Sequence, residues 1–312
     1  MRALVRLSSS LLSALVVVSM PACGGAVPRP ADPPGEISAA WDRWRAERRE
    51  SLAGEEGWLS LVALGWLDAP STTVGADPGS GIVLPAGHSP PALGRIELRE
   101  GTAWLVPSPG VEILHDGLAV TSELVLAPDD PGPPTTLAVG PLRMHLISRA
   151  GRLGLRVKDR QSPARLGFEG PEVFPYDVAF RVPARFEPAA EGESLPIVNV
   201  LGQEVAEPLA GRLRFTLAGH ELVLLATWAG STPAEGYSVM LRDATSDEGA
   251  SYGAGRYLEV EAADARGGTY VDFNFAYTPP CGYTDFATCP LPPEDNTLPV
   301  AITAGERAPA GH

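Results

Sequence analysis

Four groups of residues in this chain have types and spacings that could do chemistry. Arg156, Lys158 and Asp159 close the segment Gly154-Leu155-Arg156-Val157-Lys158-Asp159. Side chains alternate between the faces of a strand, so Arg156 and Lys158 share one face while Asp159 takes the other or turns the chain. Such a pair could hold a carboxylate or phosphate, with the arginine fork gripping two oxygens at once. As a solvated strand end it would carry only surface salt bridges of little worth. The second group is Tyr252-Gly253-Ala254-Gly255-Arg256. Its glycines let the backbone turn tightly or approach a ligand closely. Arg256 then either meets an anionic group or ties the turn to Asp243 or Asp272. The segment lacks the Lys-Ser/Thr pair and the helix of a phosphate loop, and its spacing is not a dinucleotide fingerprint.

The third group is Asp272 and Asn274, followed by Tyr277. In a regular strand both polar residues emerge on one face, with Phe273 and Phe275 turned into the core. Asp272 could accept from Arg256, and Asn274 could orient a ligand or fasten the proline-rich segment beyond it. The alternative is a pair of buried polar groups satisfying irregular backbone. As a general base, Asp272 would be handicapped by Arg256, because a neighbouring cation increases the acidity of a carboxyl. The fourth group is Cys281 and Cys289. A zinc site needs four close ligands, and no histidine is near in sequence. A cysteine nucleophile is activated by a base such as imidazole, and Tyr283, Thr284 and Asp285 offer no imidazole. Among the histidines, His88 falls in a loop, His145 in a strand and His312 at the end, and no Gly-x-Ser-x-Gly elbow is present. No metal or cofactor is expected.

The elements that must position these residues are mainly strands. From residue 73 onward, short apolar alternations recur between Gly, Pro and Asp turns, as in Gly94-Arg95-Ile96-Glu97-Leu98 and Ala103-Trp104-Leu105-Val106. Strands this short and this closely spaced predict sandwich-like packing rather than βαβ units. Leu142 to Val157 reads as two long strands reversing at Ala150-Gly151. A second series begins near Phe174 and includes Arg212–Leu217, where Arg212, Arg214 and Thr216 alternate with Leu213, Phe215 and Leu217. Upstream, Ile37, Trp41, Trp44 and Leu52 have the spacing of a short amphipathic helix with its tryptophans turned inward. Trp58 to Leu67 is a continuous apolar run, read as a buried strand or as a tight helical turn leading into one. Prolines at 279, 280, 290, 292 and 293 exclude the tail from a ladder, since proline lacks the donor. The expectation is an all-β protein with two packed β-sandwich-like parts, a short N-terminal helix and an irregular C-terminal tail. The helix and first part would occupy residues 36–160, and the second part and tail residues 161–312.

The first 35 residues read as an address. Arg2 and Arg6 precede an apolar run from Leu11 to Val18 that is too short to span a bilayer. Met20-Pro21-Ala22-Cys23 closes it in the manner of a lipoprotein signal covering residues 1–22, with Cys23 lipidated. The other reading is ordinary secretory cleavage nearby, leaving Cys23 as a free thiol. Residues 23–35, rich in proline, read as a tether. Gly24 stands where an aspartate would favour inner-membrane retention, so a cell with two membranes would carry the protein on the outer one. Disulfides persist in exported proteins, and Cys281 and Cys289 are expected to pair. The 312 residues carry a formal charge of −14, which argues against nucleic acid as a partner and against broad electrostatic attraction to anionic lipid.

The chain resembles an uncharacterised bacterial family, domain of unknown function 1684, over about residues 38 to 307. The resemblance rests on Glu56-Gly57-Trp58-Leu59-Ser60-Leu61-Val62, Gly75-Ala76-Asp77, Gly154 to Asp159 and Phe174-Pro175. It rests above all on Tyr252 to Leu258, Asp272 to Cys281, Cys289 to Pro293, Asn296 and Ala304-Gly305-Glu306. Thr278 stands where members often have asparagine. The resemblance implies no activity. The residues therefore point to a lipid-anchored envelope protein that binds a small polar or anionic ligand, or an envelope partner. The expected pocket comprises Arg156, Gly253, Gly255, Arg256, Asp272, Asn274 and Tyr277. The alternatives are a hydrolase using Asp272 and Arg256, and a purely structural or protein-interaction module.

Overall fold

The computed structural model describes residues 35–310. The expected signal, Cys23 and nearly all of the expected tether lie outside the described residues, and Gly35 itself begins the first helix. The fold is all-β in class. Helix α1 (Gly35–Ala53) is followed by a single 3₁₀ turn at Trp58–Ser60 that runs directly into a strand, so the apolar run takes the second of its two sequence readings.

The first β part contains β1 (Leu61–Trp66), β2 (Ser71–Gly75), β3 (Ile82–Val83), β4 (Gly94–Arg99), β5 (Thr102–Pro107) and β6 (Leu114–His115). It continues with β7 (Leu118–Ala119), β8 (Leu124–Leu126), β9 (Leu137–Val139), β10 (Leu142–Arg149) and β11 (Arg152–Asp159). These form two sheets, ordered β1-β11-β10-β9-β6-β7 and β3-β2-β4-β5-β8. Ile96, Leu105, Leu142, Met144, Leu146, Leu155 and Val157 are buried between them. Each such side chain contributes about 1.5–3 kcal/mol on leaving water. The β10–β11 hairpin reverses at Ala150-Gly151, both at positive φ. With Leu155 and Val157 in the sandwich core, the alternation sends Arg156 and Lys158 to the outer face.

The second part contains β12 (Arg181–Pro188), β13 (Ser194–Val198), β14 (Glu204–Leu217), β15 (His220–Trp228), β16 (Tyr237–Leu241), β17 (Arg256–Val260) and β18 (Gly268–Asp272). The main path is β17-β16-β15-β14-β12-β18, with β13 beside β14. This sheet curls until its edge strands approach each other, Thr269 Oγ1 donating to the Glu261 carbonyl at 2.9 Å. Leu213, Leu224, Val239, Leu241, Leu258, Val271 and Phe273 fill its interior together with tail residues Leu298, Val300, Ile302 and Ala304. The tail is therefore part of the core. Asn296 fits where β15 and β16 diverge. Its amide accepts from Leu225 N and donates to the carbonyls of Leu225 and Met240, satisfying backbone that the ladder leaves open.

Two sequence expectations change. β18 ends at Asp272, and residues 273–275 form a 3₁₀ turn capped by the Asp272 carboxylate. Asp272 and Asn274 meet through that cap, not through strand alternation. Helix α1, grouped by sequence with the first part, packs on the second as well. Trp41 stands edge-on to Tyr176 at 6.0 Å and Trp44 edge-on to Phe275 at 5.5 Å.

Candidate functional site

The expected pocket residues separate into three places. The first is a closed cage around Arg256, which has no exposed surface. Its guanidinium donates to Asp243 at 2.7 Å and to the carbonyls of Ile302 at 3.0 Å, Ala304 at 2.5 Å and Glu306 at 3.2 Å. Asp243 also accepts from Thr245 N and Oγ1 and from Ile302 N. This is a bolt through the tail, and no ligand reaches it. Gly255 belongs to the same bolt. It lies at φ +100°, where a Cβ would fall 2.6 Å from the Leu241 carbonyl and 2.5 Å from Pro292. A Cβ on Gly253 would meet only the Ser246 carbonyl, at 3.8 Å. Gly255 serves chain packing and Arg256 is enclosed, so their expected ligand roles do not hold, while Gly253 is exposed with room for a side chain.

The second place surrounds Asp272. Its neighbours are Arg181 at 3.3 Å, Tyr176 at 3.5 Å and Asn274 Nδ2 at 2.8 Å. The expected contact with Arg256 is not made, which also removes the pairing on which the hydrolase alternative was built. Arg181 and Asp272 are cross-strand partners, whereas Arg256 pairs with Leu241 on the far edge of the same sheet. Burial raises the Asp272 carboxyl above its ordinary pKa despite Asn274 and Arg181, the opposite of the shift expected beside Arg256. Asn274 is buried and exchanges bonds with the Asp177 backbone at 2.9 Å in each direction, so it fastens the chain. Asp272 and Tyr277 do line a cavity of about 410 Å³ with Ile37, Ala40, Trp44, Arg181, Glu259, Glu261, Tyr270 and Phe275.

The third place is a cleft of about 420 Å³ between α1, the Glu56-Gly57-Trp58 turn and the outer face of β10 and β11. It is lined by Glu50, Ser51, Gly54, Glu56, Gly57, Trp58, His145, Arg156 and Lys158. Arg156 is only 6% exposed, yet no described residue accepts a hydrogen bond from it, and its Nε is buried without a partner. Its charged carbon lies over the Trp58 ring at 5.6 Å. Lys158 donates to the Glu56 carbonyl at 2.5 Å, with the Glu56 carboxylate 3.7 Å away. Asp129 contributes to the field at Arg156 but is engaged by Arg149 through two bonds of 2.8 Å. Burial, then Arg149, lowers the Arg156 pKa, and burial lowers that of Lys158. His145, directly opposite Arg156 in the ladder, falls to about 4 through burial and the charges of Arg156 and Lys158. The imidazole is neutral at pH 7, leaving two cations facing the cleft. Among the described residues Arg156 has no salt-bridge partner, so a salt-bridged strand end does not describe it; its guanidinium opens onto the cleft.

Sequence reasoning missed the junction that holds α1 in place. Glu306 is fully buried and accepts from Arg48 Nε at 2.7 Å, Thr278 N at 2.8 Å and Tyr283 Oη at 3.0 Å. Arg48 also donates to the Thr278 carbonyl at 3.0 Å and lies 4.7 Å over the Tyr277 ring. Burial opposes the Arg48 charge, but Glu306 keeps its pKa above the ordinary value. The available signal was position: Arg48 falls four residues after Trp44 and seven after Trp41, on the helix's inward stripe.

The expected Cys281–Cys289 disulfide is not formed in this structure. Both cysteines are free thiols, each engaged in hydrogen bonds. Cys281 N donates to Cys289 Sγ at 3.1 Å, and Tyr252 Oη lies 3.8 Å from Cys281 Sγ. Bonding from Cys289, then from Tyr252, lowers the Cys281 thiol to about 7 against the effect of burial. Among the described residues, no group of three His, Cys, Asp or Glu side chains is placed to hold a metal ion.

Comparison with known proteins places these regions. A family model described as a protein of unknown function (DUF1684) matches residues 166–307. An uncharacterized protein of Haloarcula marismortui, solved in solution by NMR, is 35% identical, the match covering 47% of this chain and 81% of that one at a TM-score of 0.40. The chain belongs to the DUF1684 family. No curated protein matches it. The segment matched by the DUF1684 model contains the Arg256 cage, Asp272 and Glu306, whereas Trp58, His145, Arg156 and Lys158 lie before it.

Proposed function

We propose that this DUF1684 protein is a lipid-anchored envelope protein that binds a small anionic ligand in the cleft beneath α1, with Arg156 as anchor. The observation that supports this reading is the Arg156 guanidinium, buried and unpaired at the wall of a cavity. An uncompensated charge withdrawn from water carries a penalty of several kcal/mol. An incoming carboxylate or phosphate relieves it through charge-assisted bonds worth about 1.5–3 kcal/mol. Trp58 supplies a flat wall and Lys158 a second cation.

Thermal unfolding with added acetate, phosphate and larger carboxylates tests the reading. The melting temperature should rise with at least one anion class in the native protein and stay flat in Arg156→Met. Equal shifts in both proteins would refute the assignment.

The envelope address rests on Arg2, Arg6, the apolar run and Cys23, and the anchor would be acyl chains alone. Cys23→Ala should move the protein from the membrane to the soluble fraction, and unchanged partition would rule lipidation out. In that oxidising compartment Cys281 and Cys289 would join. Intact-mass measurement after alkylation should find neither thiol labelled.

A further inference from the structure

Three cavities lie in a row along one flank of α1. Ser51 and Gly54 line the Arg156 cleft, Trp44, Glu47 and Ser51 a central cavity of about 440 Å³, and Ile37, Ala40 and Trp44 the cavity of Asp272. The steps of three and four residues put these positions on a single stripe of the helix. The cavities also share residues of the opposite wall, Trp58 between the first two and Tyr277 between the last two. They form one groove whose chemistry changes along its length. At one end Arg156 and Lys158 stand with Glu50 and Glu56, the latter beside Lys158, and Arg156 is the cation there without a carboxylate; Trp44, Trp58, Tyr257 and Tyr277 line the middle.

Glu259, Glu261 and Asp272 stand at the other end, with Arg181 engaged by Asp272 at 3.3 Å. Glu259 is an exposed carboxylate on this wall. It accepts from Ser238 Oγ at 3.2 Å and Tyr277 Oη at 3.3 Å, and no described cation pairs with it.

We infer that the groove takes a short, extended peptide lying along α1, with its terminal carboxylate on Arg156 and its terminal ammonium beside Glu259. This rests on the anion-binding reading of Arg156 and extends it to the whole groove. The span from Ala40 to Ser51 is about 16 Å at 1.5 Å per residue, which an extended chain of about five residues covers. The aromatic middle offers flat apolar walls to side chains and a peptide backbone alike, and the two charged ends fix the direction.

Calorimetric titration of the purified protein with pentaalanine, its N-acetylated form and its C-terminal amide provides the test, with acetate as the single-anion control. The free-ended peptide should bind at least 10-fold more tightly than either blocked form. Glu259→Gln should abolish the effect of N-acetylation, and Arg156→Gln that of amidation. Glu259 is at the exposed rim, so its variant will fold, and the comparison of blocked peptides on the native protein stands without any variant.

If pentaalanine binds no better than acetate, or if acetylation costs nothing, the peptide inference is overturned while the anion reading survives on its Arg156 dependence. If neither the peptide nor acetate, phosphate or a larger carboxylate binds, both fall.

Discussion

Arg256 and Arg156 are both withdrawn from water, and everything around them differs. Arg256 faces one carboxylate and three carbonyls inside the second sheet and has no exposed surface. Arg156 faces a ring, another cation and an open cleft. Arg256, whose terminal nitrogens hold one carboxylate and three carbonyls while only its Nε is without a partner, holds the chain together, and losing it leaves those acceptors stranded. A buried charge with no partners adds nothing to the fold and is poised for something that arrives from solution. The contrast separates two functions of one residue type that the sequence presents in similar strand contexts.

The contrast is easiest to break at the cage. Arg256→Met leaves Asp243 and three tail carbonyls without their donor in the core, so stability should fall by about 3–5 kcal/mol. A urea transition that hardly moves would show the cage to be incidental. Glu306→Gln comes next. It keeps the shape but removes the charge opposite Arg48, and a loss of about 2–4 kcal/mol is expected, with greater proteolysis of α1 as the visible consequence.

Arg156→Met should behave in the opposite way. Replacing an unpaired buried cation with an apolar side chain of similar length should change stability by about 1 kcal/mol or less, or raise it. Stabilising shifts by anions should disappear. A collapse comparable to that of Arg256→Met would abolish the distinction.

A pH-dependent effect sharpens the cleft end. His145 titrates near 4 in the folded protein and near 6.5 when unfolded. The unfolded chain therefore binds more protons between these values. The stabilising contribution of neutral His145 is complete above about pH 6.5 and is lost as pH falls toward about 4. His145→Gln should flatten this part of the stability profile. A bound anion should also flatten it, because an anion favours the imidazolium and raises its folded pKa. An identical profile in the variant would mean that other groups set the acid dependence.

Much of the framework was legible because it depends on local pattern. Alternating Leu155 and Val157 place Arg156 and Lys158 outward whatever lies beyond. Ala150-Gly151 permits the reversal between β10 and β11, and Trp41, Trp44 and Leu52 mark the inward face of α1. Less legible was the partner of Arg256, since Asp243 and Asp272 are both close in sequence. Strand order decided between them. β17 pairs with β16, whose Leu241 stands opposite Arg256 two residues before Asp243, while β18 pairs with β12. Asn274 was similarly ambiguous until the 3₁₀ turn brought it onto Asp177.

By its own periodicities and turn residues, the chain determined that it would be built of strands, which faces would be apolar, and that a helix would dock by its tryptophans. Only the folded arrangement decided which polar groups found partners. Partnership depends on chain segments far apart in sequence arriving within about 3 Å of each other, and register, sheet curl and tail path set those encounters. They enclosed Arg256 with the tail and left Arg156 facing open space beneath α1.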